Sequence, residues 1–312
     1  VKERRLNQES DTGLAAQRSA KVGTVLAAVS AFGSALTTVI GKWNLMSISP
    51  LLMNSMIFTI ASVVMTVLWV PYKGRRAVFC HSAQGWRWIG AFALTSVAAI
   101  WLWWAGVQKI DPSLASFLNR VEVPIIILMG VVLLKEKFGP LEIIGGGLTL
   151  LGIVIMKLTL RFQYDEGFWL VLASSLCFGV TEYISKIALR YVDAVPMTYL
   201  RNLMIAVAFW VLFAGSDNSF SGLGEVWYGV AAVALLGPIL ARLLYMLALV
   251  RLELSKVAII SQLQPVYVLL IAVVALNQMP TTRELAGGFC LLAGCLLMII
   301  GRQRLRLVSA RG

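Results

Sequence analysis

Ten runs of apolar residues, each near twenty residues long, dominate this 312-residue chain. They lie at 22–41, 50–70, 88–107, 113–134, 141–160, 167–188, 195–215, 226–249, 256–276 and 285–301. A helix of about twenty residues crosses the roughly 30 Å hydrocarbon core of a bilayer. In lipid every backbone amide must be satisfied internally, so such runs become helices rather than open strands. Short connections hold the turn residues, among them Pro71-Tyr72-Lys73-Gly74, Asp111-Pro112, Gly139-Pro140 and Met279-Pro280. Composition agrees: 59% of residues are hydrophobic and 13% are charged, against roughly a quarter charged in soluble proteins. A soluble enzyme, a disordered chain and a disulfide scaffold are excluded. The expected fold is an all-α membrane protein of ten transmembrane helices.

The formal net charge of +12 resembles a nucleic-acid signal, but its distribution argues otherwise. With the amino terminus placed inside, 19 of the 27 Lys and Arg fall in inside segments and five in outside segments; Arg120, Arg201 and Arg242 lie within spans. Cytoplasmic loops carry such a bias, so both termini are expected in the cytoplasm and no nucleic-acid partner is expected. The first 21 residues are polar and lack the apolar core of a cleaved signal, so the first run is expected to remain as a helix. Cys177, Cys290 and Cys295 lie in apolar stretches, Cys80 in a loop, and no structural disulfide is expected.

The two halves repeat. Leu26–Gly33 aligns with Leu172–Gly179, and Pro50 with Pro196, at an offset of 146. Pro124 matches Pro265, and Glu142, Gly145, Gly146, Gly152 and Met156 match Glu284, Gly287, Gly288, Gly294 and Met298. Five spans per copy insert the second copy upside down, the inverted-repeat plan that sets a substrate site near mid-membrane between the repeats. The segments expected are a cytoplasmic tail at 1–21, a first five-helix repeat at 22–160, a second at 161–301 and a cytoplasmic tail at 302–312.

These residues give the chain its likeness. It resembles the drug/metabolite transporter superfamily, as a two-repeat EamA-type protein, over nearly its whole length. The best-matching stretch holds Pro124, Leu134-Lys135-Glu136, Gly145 and Gly152; the second copy holds Pro265, Leu276, Gln278, Gly287 and Gly294, with Gln278 where the family usually has glutamate. The resemblance implies outward movement of a metabolite, from amino acids and nucleotides to sugars and small amines, across a bacterial inner membrane.

The residues that carry chemistry are charges inside spans, since each costs roughly 2.5–3.5 kcal/mol at mid-bilayer and faces a bundle interior or a wet cavity. Asn119, Arg120 and Glu122 lie on the fourth span, with Glu122 about 14 Å from its outer end at the helical rise. Glu182, Arg201 and Arg242 lie on spans six, seven and eight. Residues two apart on a helix do not face each other, so Glu182 is expected to pair with Arg120, and Arg201 or Arg242 with Glu122. For Arg201 and Arg242 the competing reading is snorkelling to the inner surface. Arg120, Glu122, Glu182, Arg201 and Arg242 align with Ser261, Leu263, Leu36, Ser55 and Trp101. Charges that the scaffold does not repeat are the better candidates for substrate contact. Trp101 and Trp104, at the repeat positions of Arg242 and Tyr245, join them, as does Tyr245. Glu122 is the candidate proton carrier, and the in-span prolines Pro124, Pro238 and Pro265 are candidate hinges or gates; a structural ion pair and a passive kink are the bland alternatives. Close packing accounts for Gly145, Gly152, Gly287 and Gly294.

The only histidine, His81, lies in a loop, so an intramembrane Ser-His dyad and a two-histidine metal site are unavailable, and no phosphate-binding loop is present. No enzyme activity, cofactor or metal is expected. The expected function is secondary transport of a small polar or zwitterionic metabolite, amino acids or related compounds first. The partners expected are that solute and the lipid bilayer, with a homodimer also compatible. The alternatives are a lipid or lipid-precursor flippase and a non-transporting sensor or assembly subunit.

Overall fold

The structure, a computed structural model, describes residues 2–73, 79, 81–134, 139–159, 165–277 and 279–309. The described elements are helices: α1 (Lys2–Asn44), α2 (Pro50–Lys73), α3 (Ala83–Lys109), α4 (Pro112–Asn119), α5 (Glu122–Leu134), α6 (Pro140–Thr159), α7 (Asp165–Ala188), α8 (Ala194–Ala214), α9 (Leu223–Ala234), a π-helical stretch at Leu235–Ala241, α10 (Arg242–Arg251), α11 (Leu254–Ser261), α12 (Leu263–Leu276) and α13 (Thr282–Ser309). Nine described segments are long and apolar enough to cross a membrane, and a tenth apolar helix, Pro140–Met156, is shorter. Each sits on an expected run. The tail expected at 1–21 is helical from Lys2 and continuous with the first span. Cys80, Lys135, Glu136 and Gln278 lie outside the described residues.

The packing has the symmetry of the repeat. α6 packs along α13 and α2 along α8; α3 packs on α7, as α1 does on α9 and α10; α5 packs on α7, as α12 does on α1. Exchanging the first five spans for the second five maps this set onto itself. The fold is therefore the ten-helix inverted-repeat membrane fold. A buried apolar cluster from Leu52 and Ile57 through Trp103, Phe117 and Phe168 to Phe209 and Met298 fills the bundle. Large side chains such as Val67, Leu94, Val207 and Val274 face outward.

Lipid supplies no hydrophobic force between helices, so van der Waals packing through close backbone approach takes its place. A Cβ on Gly145 would lie 2.6 Å from Gly294 O, and one on Gly294 would lie 2.5 Å from Thr149 N. Gly152 and Gly287 meet in the same way. The glycines thus set how near α6 and α13 can run, as the repeat pattern predicts. At the starts of these helices Glu142 accepts from Gly139 N at 2.6 Å and Glu284 from Thr281 N at 2.7 Å. Each carboxylate satisfies an amide that a helix start leaves unpaired.

A second matched device closes the helix ends. Lys42 Nζ donates to Val107 O, Gln108 O and Ile110 O at 2.8–3.0 Å. Lys186 Nζ donates to Leu249 O at 2.5 Å and Leu252 O at 3.4 Å. Val107 and Ile110 stand 142 residues before Leu249 and Leu252. One lysine per repeat therefore caps the unpaired carbonyls at the end of that repeat's third span.

The fourth and ninth spans are not continuous. α4 ends at Asn119 with Arg120 as its cap, and α5 begins at Glu122; α11 ends at Ser261 with Gln262 as its cap, and α12 begins at Leu263. Pro124 and Pro265 are each the third residue of the restarted helix. Proline is tolerated in a first turn, where its missing N–H was not needed. Pro238 differs: it sits within the π-helical stretch of the eighth span, where the wider turn accommodates an extra residue.

Candidate functional site

A cavity of about 210 Å³ lies between the repeats. α4 and α5 bring Asn119, Arg120 and Glu122 to it, α7 brings Glu182, and α8 brings Arg201; Pro238, Arg242 and Tyr245 come from the interrupted eighth span. Trp103 and Trp104 form an aromatic wall with Phe58 and Phe178. Of the expected site residues, Trp101 and the two restart prolines, Pro124 and Pro265, do not line it. Trp101 is 42% exposed on the outer face of α3.

The register explains Trp101. An offset of 141 pairs it with Arg242, but the lysine-capped carbonyls place this end of the two spans at 142. The extra residue taken up by the π-helical stretch accounts for the shift. At 142, Ile100 and Trp103 correspond to Arg242 and Tyr245, and all four line the cavity.

The charges pair differently from expectation. Arg120 Nη1 lies 3.1 Å from Glu122 Oε1, with side-chain exposures of 3% and 14%. The rule that positions two apart diverge holds for a continuous helix, and this helix breaks between them. Arg120 also donates to Ser261 O at 3.2 Å and to Gln264 Oε1 at 2.9 Å. Ser261 O is the carbonyl four residues before Pro265, which has no N–H to give it. One guanidinium thus joins the two helix breaks across the repeat interface. Arg120 O, the equivalent carbonyl before Pro124, accepts from Cys295 Sγ at 3.4 Å.

Arg242 Nη1 lies 2.5 Å from Glu182 Oε1, and its guanidinium stands 5.3 Å from the Tyr245 ring. Arg201 Nε donates to Ser96 Oγ at 2.9 Å and Nη1 to Asn202 Oδ1 at 3.1 Å. Asn202 in turn donates to Pro238 O at 3.2 Å. Neither Arg201 nor Arg242 snorkels; both turn into the bundle. Asn119 Oδ1 is buried without a donor among the described residues.

Sequence reasoning missed the wall of α1. Ser30, Ser34, Thr37 and Thr38 line the cavity, and their spacing of four, three and one puts them on one helix face. Gln264, which holds Arg120, was also missed; nothing in its sequence context marks it. Among the described residues no three His, Cys, Asp or Glu side chains converge as metal ligands would.

Ten helices in two inverted halves, with a polar cavity where the halves meet, define a multi-pass membrane protein built on a transporter plan. The chain belongs to the EamA-like transporter family, whose family model matches residues 21–158 and again 166–300, once in each half. It is accordingly a membrane transporter of the drug/metabolite superfamily. Among solved structures 28 chains match. One, described only as the crystal structure of a protein, is 17% identical and aligns with a TM-score of 0.62 over 93% of this chain and 98% of its own length; this likeness speaks to fold alone. No curated protein matches the sequence.

Proposed function

We infer that the protein is a secondary transporter that carries a small polar or zwitterionic metabolite, an amino acid or related compound first, by alternating access. The observation that carries this reading is the cavity itself: both signs of charge, an aromatic wall and a hydroxyl face in one small space between the repeats. Its volume of about 210 Å³ falls below the roughly 300–1,000 Å³ of sites for drug-sized ligands. That size favours a metabolite over a lipid. The paired breaks before Pro124 and Pro265 provide pivots in equivalent helices, and Glu122, the more exposed member of its pair, is the proton carrier. Export from a cytoplasm that holds both termini, across a bacterial inner membrane, completes the proposal.

Purified protein in liposomes should move an amino acid down its gradient with saturable kinetics. Glu122→Gln should fold and still exchange substrate for substrate, yet lose flux driven by a pH gradient, because an amide cannot release a proton. Correct insertion with no flux across a broad metabolite panel would favour a sensor or assembly subunit. Movement of labelled lipid alone would favour a flippase. A reporter active only in the cytoplasm should work after Gly312, and activity there of a periplasmic reporter alone would refute the orientation.

A further inference from the structure

Two arginines of the cavity wall share one fully buried aromatic ring. The Cζ atoms of Arg201 and Arg242 each stand 5.0 Å from the centroid of Phe92. Among the described residues Arg242 forms an ion pair, with Glu182, and Arg201 forms none. Arg201 is 4% exposed, and among the described residues its side-chain hydrogen bonds go to neutral oxygens of Ser96 and Asn202. Neither bond uses Nη2. On Arg242 the Nε and Nη2 atoms are buried and have no acceptor among the described residues.

Burying a guanidinium without a counter-charge is unfavourable, and setting two close together adds repulsion. A buried donor without an acceptor is itself costly and calls for an explanation. The scaffold does not require these groups: Ser55 stands at the repeat position of Arg201 and Ile100 at that of Arg242. One surplus positive charge remains beside Phe92, together with unused N–H donors on two planar forks. A singly charged, planar acceptor with two oxygens matches it, since a carboxylate takes guanidinium hydrogen bonds in parallel pairs.

We propose that Arg201 and Arg242, held against Phe92, form a carboxylate subsite that makes a carboxylate a required feature of the substrate. This rests on the cavity being the transport site and narrows its substrate class. Phe92 and the acceptors Ser96 Oγ and Asn202 Oδ1 are the positioning elements; they hold Arg201 without neutralising it. The uncharged end of the solute then extends toward Trp103 and Trp104.

The test uses matched ligands on the intact protein: leucine, isocaproate, leucinamide and isoamylamine, the same series on serine and phenylalanine side chains, and inorganic phosphate. Thermal stabilisation in detergent is the readout. In at least one series the carboxylate-bearing members should stabilise the wild type, with the amide and the amine of that series silent. Arg201→Gln should weaken the effective carboxylate by about tenfold or more, the size of one lost charge-assisted contact. Arg201→Lys, which keeps the charge but loses the planar fork, should fall between. A merely structural arginine would not change the ranking of acid over amide. The wild-type comparison stands even where Arg201→Gln fails to fold. Stabilisation by an amine or amide equal to that by its acid would overturn the subsite, as would preference for phosphate or silence from every carboxylate. Saturable liposome flux of an amine would then leave the transporter reading intact while removing this one.

Discussion

Replacing Arg120 by methionine should damage the fold far more than replacing its partner Glu122 by glutamine. Arg120 serves three acceptors: Glu122 Oε1, Ser261 O and Gln264 Oε1. Methionine fills similar space but donates nothing. The Glu122 carboxylate, with 14% of its side chain exposed, is then stranded, and removing one partner of a buried pair typically costs about 3–5 kcal/mol. The orphaned Ser261 carbonyl and Gln264 amide oxygen add about 1–3 kcal/mol each when unsatisfied. Glu122→Gln leaves Arg120 two neutral acceptors and an amide oxygen in place of the third, so its cost should stay near 1–2 kcal/mol, about the value of exchanging a charged for a neutral hydrogen bond. The double variant no longer strands a carboxylate and should regain at least about 2 kcal/mol over Arg120→Met, a coupling that a double-mutant cycle reads directly. Melting curves in detergent, with gel filtration for monodispersity, provide the measurement. If Glu122→Gln is as damaging as Arg120→Met, or the double variant gains nothing, the guanidinium does not join the two breaks.

Two further outcomes test the scaffold. Burial raises the Asp111 carboxyl above its ordinary 3.8; Glu284 adds to the rise and Lys42 opposes it. The folded state therefore binds this proton more tightly than the unfolded one, so the contribution of Asp111 is best below pH 3.8 and is lost as pH rises through the folded value. Asp111→Asn should raise the melting temperature at neutral pH and make little difference under acid, and a lower neutral melting temperature would contradict the assignment. Gly294→Val should push α13 from α6, because its Cβ would meet the backbone of Thr149 and Gly145 at 2.5–2.6 Å; overpacking of this kind costs about 1–3 kcal/mol, and a melting temperature equal to wild type would show that the crossing is looser than the geometry states.

The spans and the repeat were legible because both depend on long averages: hydropathy over twenty residues, and matched glycines and prolines over half the chain. The site was less legible because it turns on single residues. A two-residue turn at Arg120 and Val121 leaves the hydropathy of the span unchanged, yet it turns two diverging side chains into an ion pair. A proline three residues into a new helix reads in sequence like a proline that kinks an old one. The extra residue in the π-helical stretch moves the repeat register by one, which is enough to exchange Trp101 for Ile100 and Trp103. The hydroxyl face of α1 was readable from spacing. It passed unnoticed because serine and threonine are inconspicuous in membrane helices, where they bond their own preceding turn, as Thr37 does to Gly33 O and Thr38 to Ser34 O.

The division between repeated and unrepeated residues has an electrostatic origin at the repeat interface. Three kinds of group occur twice without conflict: the capping lysines, the helix-start glutamates and the crossing glycines. The crossing glycines meet across the interface but carry no charge, and each glutamate closes its own helix start. At the two helix breaks the copies meet, and there Arg120 is the cap of one break while Gln262 is the cap of the other. Arg120 already reaches Ser261 O, one residue before that second cap, and the Gln264 side chain, two residues after it. A second arginine cap at 262 would set guanidinium against guanidinium, with Glu122 already engaged by Arg120, so two arginine caps are unstable where one is not. Gln262→Arg should therefore express poorly and melt below wild type. Gln262→Leu should do the reverse. Both amide atoms of Gln262 are buried without a partner among the described residues, and removing unsatisfied polar atoms from such a place recovers about 1–3 kcal/mol. Should the arginine variant match wild type while the leucine variant is destabilised, charge conflict at the breaks is not what keeps the cavity asymmetric.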